Sequence, residues 1–215
     1  MILYLDTSSS FLYSAIYNNN NNNIVDSISL NLGKDLSSKA LILIKELLTK
    51  NNLKISEINK IIVVNGPGSF TGIRVGLTIA KVLAWSLDIP IITISSLEAM
   101  SLSYVNDSNF IVPVIDARRD YYYATIYDRK NKGFILKEQY ISKELLLSAV
   151  ASLPNSPVII SNDKFDSDYE LVPYTPNYKN IIDNFKDKEP TDVNFIDANY
   201  LKKTEAESKN DNTTE

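Results

Sequence analysis

The sequence contains neither cysteine nor histidine in its 215 residues. Without cysteine, disulfide bonds and cysteine-ligated metal sites are excluded. Without histidine, the Ser-His-Asp and Cys-His forms of nucleophilic catalysis and all histidine metal ligation are excluded as well. Any catalysis by this chain would therefore depend on carboxylates, lysine, tyrosine or a bound metal.

The sequence also lacks an excess of positive charge, since its formal net charge is -4. A protein that binds nucleic acid on its own normally carries a basic stripe, so an acidic chain is expected to meet nucleic acid only within a complex. No charged leader followed by a long apolar core indicates secretion or membrane spanning. We therefore expect a soluble, cytoplasmic protein with a hydrophobic content, 44%, sufficient for one large or two small domains.

Glycine is scarce, with six residues in total, and four of them lie between Gly66 and Gly76. The apolar run at residues 61–64 predicts a buried strand, and residues 73–87 predict a helix. The glycine spacing fits neither a Walker A loop, which needs lysine after the second glycine, nor a dinucleotide fingerprint, because Thr71 occupies the sixth position counted from Gly66. The junction is therefore not predicted to bind a nucleotide.

Small residues continue along this helix at intervals of four, at Gly68, Gly72, Gly76, Ala80 and Ala84. Such spacing leaves a shallow groove along which another helix or a sheet can approach closely. Packing on the domain's own sheet is one interpretation, and docking of a partner is the other. Apolar residues occupy more of this helix than the stripe of about 100° that a surface helix normally buries, which favours the partner.

A second apolar helix is predicted from residue 37 to about residue 51, with Ile42 interrupting its polar face. Two helices that are apolar on more than one side favour a shared partner surface, and burial in an internal core is the alternative. The sole tryptophan, Trp85, lies beside cationic residues and is a candidate anchor. The predicted interface residues are Ala40, Leu41, Ile44, Leu48, Gly72, Gly76, Ile79, Ala80, Leu83 and Ala84.

The order of predicted elements indicates a duplicated α/β fold. Three strands form a meander within residues 2–32, and helix, strand, helix, strand and a short helix follow. A second unit begins near Asn109 and again has a strand that ends in aspartate, Asp116, as the first ends in Asp6. We predict two ribonuclease H-like units of the actin, sugar kinase and Hsp70 (ASKHA) superfamily. The predicted domains are 1–108, a shortened 109–202, and a disordered tail at 203–215.

The two loops that would hold ATP in such a fold lack glycine. Residues 6–9 read Asp-Thr-Ser-Ser and residues 116–119 read Asp-Ala-Arg-Arg, and Gly133 is the only glycine of the second half. These sequences predict that the ATP site has been lost. Two other hypotheses remain: a weak ATPase or kinase that uses Asp6 and Asp116 around Mg²⁺, and a peptidase with Ser69 and a lysine base.

Four motifs carry a family resemblance. They are ILYLDTS at residues 2–8, GPGSFTGIRVGL at 66–77, SSLEA at 95–99 and DARR at 116–119. Together they resemble, in order and over about the first 130 residues, the TsaB (YeaZ) family of tRNA threonylcarbamoyladenosine biosynthesis proteins. The ending ANYLK at residues 198–202 is similar to the Tyr-Leu-Arg ending common in that family.

The resemblance implies a non-catalytic paralogue of the TsaD subunit, which transfers the threonylcarbamoyl group to adenosine 37 of tRNA. It implies a heterodimer with TsaD through the helices around residues 40–48 and 72–87, and an ATPase, TsaE, that docks on the pair. Under this resemblance no cofactor belongs to this chain, whereas ATP, Mg²⁺ and a metal belong to the partner subunits. Because an exposed apolar surface rarely stays bare, a homodimer is predicted for the isolated chain.

Overall fold

The computed structural model describes residues 1–105 and 108–202, and the predicted tail at 203–215 lies outside the described residues. The first half forms a five-stranded sheet in the order β3-β2-β1-β4-β5. Its strands β1 to β5 are Ile2–Asp6, Phe11–Asn18, Asn23–Asn31, Lys60–Val64 and Ile91–Ile94. Its helices α1 to α3 are Leu36–Lys50, Phe70–Leu87 and Ser96–Ser103.

The second half repeats this plan with a second five-stranded sheet. Strands β6 to β10 are Phe110–Asp116, Tyr121–Asp128, Gly133–Ser142, Val158–Ile160 and Glu170–Val172, and the helices α4 and α5 are Lys143–Ala151 and Tyr178–Phe185. The sheet order is β10-β9-β6-β7-β8. In both sheets three antiparallel strands precede the parallel ones. This repetition confirms the predicted tandem ribonuclease H-like fold.

Strand β1 lies at the centre of the first sheet and is buried along its whole length. Leu3 pairs antiparallel with Ile16 on β2 and parallel with Ile61 on β4. Helices cover both faces of this strand, which explains its uninterrupted apolar sequence. The asparagine run at residues 18–23 forms the β2–β3 hairpin turn within the predicted meander, with Asn22 in the left-handed region at φ 51°.

Helices from both halves cover the first sheet. On one face α1 and α2 lie side by side over β1, β2 and β4. On the other face α3 and α5 pack together, and α5 contributes Tyr178, Ile181, Ile182 and Phe185 to the core between the two sheets. Helix α4 covers the outer face of the second sheet.

The end of the described chain returns to the first sheet. Thr191 forms a β-bridge with Ile91 at the edge strand β5, and the Asn199 amide donates to the Asn65 carbonyl at 2.8 Å. Within the predicted second domain, 109–202, the sheet spans residues 110–172, and residues 178–202 also pack against the first sheet.

Helix α2 begins three residues earlier than predicted. Ser69 caps it, since the Ser69 hydroxyl accepts a hydrogen bond from the Gly72 amide at 3.2 Å. By length and composition α2 is apolar enough to cross a membrane, a property that core helices of soluble proteins share. In this structure it packs along the first sheet.

Candidate docking face and interunit cleft

The glycines of the junction pack against the loop that follows β1. A Cβ at Gly68 would overlap the Ser8 carbonyl oxygen, and one at Gly72 would overlap the carbonyl oxygen of Thr7. A Cβ at Gly76 would overlap the Thr7 hydroxyl. Thr7 and Ser8 therefore leave no room for a side chain at these three positions, and the glycines of the stripe pack against the chain's own loop after β1.

This packing corrects most of the predicted interface. Seven of those residues are buried within the chain because they face its own sheet: Ala40, Ile44, Leu48, Gly72, Gly76, Ala80 and Ala84. Their burial favours the alternative interpretation, in which the small residues pack on the domain's own sheet. Leu41 is exposed, and Ile79 and Leu83 are partly buried between the helices and solvent.

An exposed apolar surface nevertheless exists on the same two helices. Leu41 and Ile42 on α1 are 53% and 56% exposed, and Val82 and Trp85 on α2 are 53% and 64% exposed. Because both helices bury their opposite faces in one sheet, these side chains point away from it. We call these four residues the outer face. Ile42 and Val82 were missing from the predicted set, and Trp85 was predicted only as a candidate anchor. The positions of Val82 and Trp85 opposite the small-residue stripe indicate their exposure.

The first turn of α2 is joined to the end of the described chain by a stack of side chains. The Phe70 and Tyr200 rings lie 5.2 Å apart between centroids and nearly parallel, at 24°. The Arg74 guanidinium lies 3.8 Å from the Phe70 ring centroid, and its Nε donates to the Tyr200 hydroxyl at 3.2 Å. This contact gives the ANYLK segment a structural role at the helix N-terminus.

A cleft of about 740 Å³ lies between the two sheets, where the superfamily fold would place a nucleotide. Both strand-ending aspartates line it. The Asp6 carboxylate accepts a hydrogen bond from the Ser8 amide at 2.8 Å, and the Asp116 carboxylate accepts one from the Arg118 amide at 2.8 Å. In each unit an amide of the loop thus donates its hydrogen bond to the aspartate carboxylate. That amide is therefore not free to bind a phosphate.

Aromatic rings form the floor of this cleft. The Phe11 ring is stacked on Tyr13 at 5.2 Å, and the Tyr174 ring meets Tyr13 edge-on at 5.3 Å. The Asn162 side chain donates to the Tyr13 hydroxyl at 2.9 Å and so joins the two units. Burial raises the pKa of Tyr13 to about 12, against the effect of this hydrogen bond.

The acidic groups of the cleft do not form a metal-binding cluster. Within residues 1–105 and 108–202, no three carboxylates lie close enough together to hold a metal ion. Asp6 is fully buried, and desolvation raises the pKa of its carboxyl group although the Ser8 amide opposes the shift. Such a carboxyl group is a weaker cation ligand than an exposed aspartate, because burial disfavours its charged form.

Comparisons with known proteins agree with this architecture. Residues 31–182 match the family model described as TsaD, tRNA N6-adenosine threonylcarbamoyltransferase. The chain is 30% identical to the tRNA threonylcarbamoyladenosine biosynthesis protein TsaB of Bacillus subtilis (strain 168), over 97% of this chain and 96% of that protein. It is 27% identical to TsaB of Buchnera aphidicola subsp. Acyrthosiphon pisum (strain APS), over 85% of this chain and 86% of that protein.

A solved structure shows the same fold. The chain superimposes on YeaZ from Pseudomonas aeruginosa with a TM-score of 0.76 and 18% sequence identity. The match covers 93% of this chain and 99% of that one. The fold of the described residues is therefore shared along nearly the whole length of that chain.

Proposed function

Because the chain belongs to the TsaB family of tRNA threonylcarbamoyladenosine biosynthesis proteins, we propose that it serves this pathway as a non-catalytic subunit that binds a TsaD-like catalytic subunit. Participation in threonylcarbamoyladenosine biosynthesis follows from the family. The role as a scaffold and the heterodimer with a TsaD-like subunit are what we propose in addition.

The outer face is the observation that carries this proposal. Four large apolar side chains on two adjacent helices are each more than half exposed to solvent. Contiguous exposed apolar surface on a soluble protein usually marks a protein interface. Trp85 is the most exposed of the four at 64%, and tryptophan is the residue type most often found to dominate binding energy at interfaces.

The cleft supports a non-catalytic role. Ser8 and Arg118 donate their amides to aspartates of their own loops, and aromatic rings cover the floor between the sheets. Phosphate binding in such loops needs free backbone amides at close approach. We therefore assign ATP, Mg²⁺ and the catalytic metal to the partner subunits.

Further partners belong to the same proposal. A TsaE-like ATPase docks on the heterodimer, tRNA is bound through the complex, and the isolated chain pairs with itself through the outer face. A cytoplasmic location is part of it as well, since the modification acts on tRNA.

Co-purification with the TsaD-like subunit of the same organism tests the proposal. Trp85→Asp and Val82→Asp are expected to lower the affinity at least about ten-fold, because loss of one interface anchor typically costs about 2 kcal/mol or more. Leu145→Asp is the matched control, since Leu145 is 63% exposed but lies on α4 over the second sheet. Circular dichroism verifies that each variant folds. Equal affinities of Trp85→Asp and Leu145→Asp would contradict docking at the outer face.

A further inference from the structure

The two helices of the outer face have a charge opposite in sign to that of the whole chain. Helices α1 and α2 carry five lysine or arginine residues and a single acidic residue, Glu46, whereas the chain has a net charge of -4. The five cationic residues are Lys39, Lys45, Lys50, Arg74 and Lys81. The basic character is therefore local to the helices that present the apolar residues.

Two of these cations are already paired within the chain. Lys39 contacts the Asp35 carboxylate at 2.6 Å, and Lys50 contacts the Asp26 carboxylate at 2.8 Å. The other three, Lys45, Arg74 and Lys81, form no ion pair with any residue in the described part of the chain, residues 1–105 and 108–202. We call these three residues the basic rim.

Each residue of the basic rim lies next to an exposed apolar side chain. Lys45 follows Leu41 by four positions, and Lys81 precedes Trp85 by four. Residues four apart lie on the same side of a helix, about 5–6 Å apart at Cβ. Arg74 is held in place by its stacking on Phe70. Lys45 and Lys81 therefore lie beside residues of the outer face, and Arg74 lies seven positions, about two helical turns, before Lys81 on α2.

We infer that the partner surface covering the outer face is acidic, with aspartate or glutamate side chains placed opposite Lys45, Arg74 and Lys81 around an apolar centre. This inference rests on the proposed function and adds the chemistry by which the TsaD-like subunit is recognised. Complementary charges at the edge of an interface increase the association rate and select among partners.

The same charges favour an acidic protein over two other occupants of the outer face. In the proposed homodimer one patch meets itself, so the basic rim of one copy opposes that of the other and makes self-association weaker than binding of an acidic partner. An RNA backbone would match the charge but would leave Leu41, Ile42 and Val82 without apolar contacts. An acidic protein surface satisfies both the apolar and the basic groups.

Salt dependence separates these occupants. Between 50 and 500 mM NaCl, heterodimer affinity should fall because complementary charges are screened, whereas self-association should rise because repulsion is screened. The combined variant Lys45→Glu, Arg74→Glu, Lys81→Glu should lower heterodimer affinity about ten-fold or more at 50 mM NaCl. The double variant Lys45→Glu, Lys81→Glu leaves the stacking of Arg74 on Phe70 intact. It should also lower heterodimer affinity, but by a smaller factor. The control variant reverses three exposed lysines of the second unit, Lys130, Lys137 and Lys164.

The outcomes separate this inference from the proposed function. Loss of binding in Trp85→Asp, together with unchanged binding in the combined reversal and no salt effect, would overturn the acidic partner and leave docking at the outer face intact. Unchanged binding in both variants would refute both. Binding of a tRNA transcript by the chain alone, abolished by the combined reversal while heterodimer affinity stays constant, would assign the basic rim to RNA and overturn the inference.

Discussion

Thr7 and Gly72 are joined across 65 residues of sequence by a hydrogen bond from the threonine hydroxyl to the glycine carbonyl at 2.7 Å. The same threonine occupies the space next to Gly72 and Gly76 that side chains would need. The loop after β1 is therefore held by the first two turns of α2, and the small residues of the helix stabilise the fold directly.

Gly72→Ala and Gly76→Ala are expected to destabilise the protein. Glycine to alanine within a helix normally stabilises by up to about 1 kcal/mol. Here the new Cβ would overlap the Thr7 carbonyl oxygen at position 72 and the Thr7 hydroxyl at position 76, and such overpacking should cost about 3 kcal/mol. Urea unfolding followed by circular dichroism measures the change. Gly133→Ala is the control, since a Cβ there has its nearest neighbour at 3.9 Å, and equal stability of Gly72→Ala and Gly133→Ala would contradict the packing described here.

Asp183 should contribute stability that depends on pH. Although partial burial opposes the shift, hydrogen bonds from Lys179, Tyr17 and Lys186 lower the pKa of Asp183 to about 2. A carboxyl group whose pKa is lowered on folding stabilises above its unfolded pKa of about 3.9, and this stabilisation is lost as the pH falls toward the folded value. Asp183→Asn should therefore cost about 1 kcal/mol at pH 7, a figure reduced for solvent screening.

The pH series supplies the test of this ion-pair network. The difference in unfolding free energy between the wild type and Asp183→Asn should be constant from pH 7 to about pH 5 and should narrow below about pH 4. The exposed Asp187→Asn variant is the control. A difference that persists unchanged at pH 3 would show that the effect does not come from the ionised carboxylate.

Asp6→Asn is expected to raise stability at neutral pH. Burial raises the pKa of Asp6, so the folded state holds its proton more tightly than the unfolded state. Stability from this group is present below the unfolded pKa, about 3.9, and is lost as the pH rises through the folded pKa. At pH 7 urea unfolding should give a higher free energy of unfolding for Asp6→Asn than for the wild type. This difference should vanish at low pH. The exposed counterpart Asp116→Asn should show no such gain, and an equal gain in both would rule out burial as the cause.

The isolated chain is expected to bind no ATP in the presence of Mg²⁺ at concentrations up to about 1 mM, which corresponds to a binding free energy weaker than about -4 kcal/mol. The loop amides of Ser8 and Arg118 are bonded to aspartates, and Tyr13 occupies the cleft floor with its aromatic neighbours. Isothermal titration calorimetry measures this. Saturable binding at micromolar ATP that is lost in Asp116→Ala would favour the alternative of a small ATPase.

Local sequence patterns determined much of the fold. The meander, the two apolar helices and the strands ending at Asp6 and Asp116 all follow from periodicity and turn residues that act over a few positions. The duplicated strand pattern also predicted the tandem architecture. The lack of glycine in the two loops was readable from the sequence, whereas the hydrogen bonds from the Ser8 and Arg118 amides to Asp6 and Asp116 were not predicted.

Long-range packing was not readable from the sequence. The spacing at Tyr178, Ile181, Ile182 and Phe185 indicates a helix with one apolar side, but no local signal shows that α5 packs on the first sheet instead of the second. Likewise, the small-residue stripe of α2 indicates close approach without identifying the neighbour. That neighbour is the loop at Thr7, and the exposed residues lie on the opposite side of the helix.

The return of residues 178–202 to the first sheet has a consequence for synthesis of the protein. While the ribosome is still translating the second half, the emerging first half has an unpaired β5 edge and an uncovered layer of tyrosines, Tyr4, Tyr13 and Tyr17. Native closure of that half must wait until Thr191 and α5 have left the exit tunnel. Until then the nascent first half exposes apolar surface of the kind that makes partly folded chains prone to aggregate.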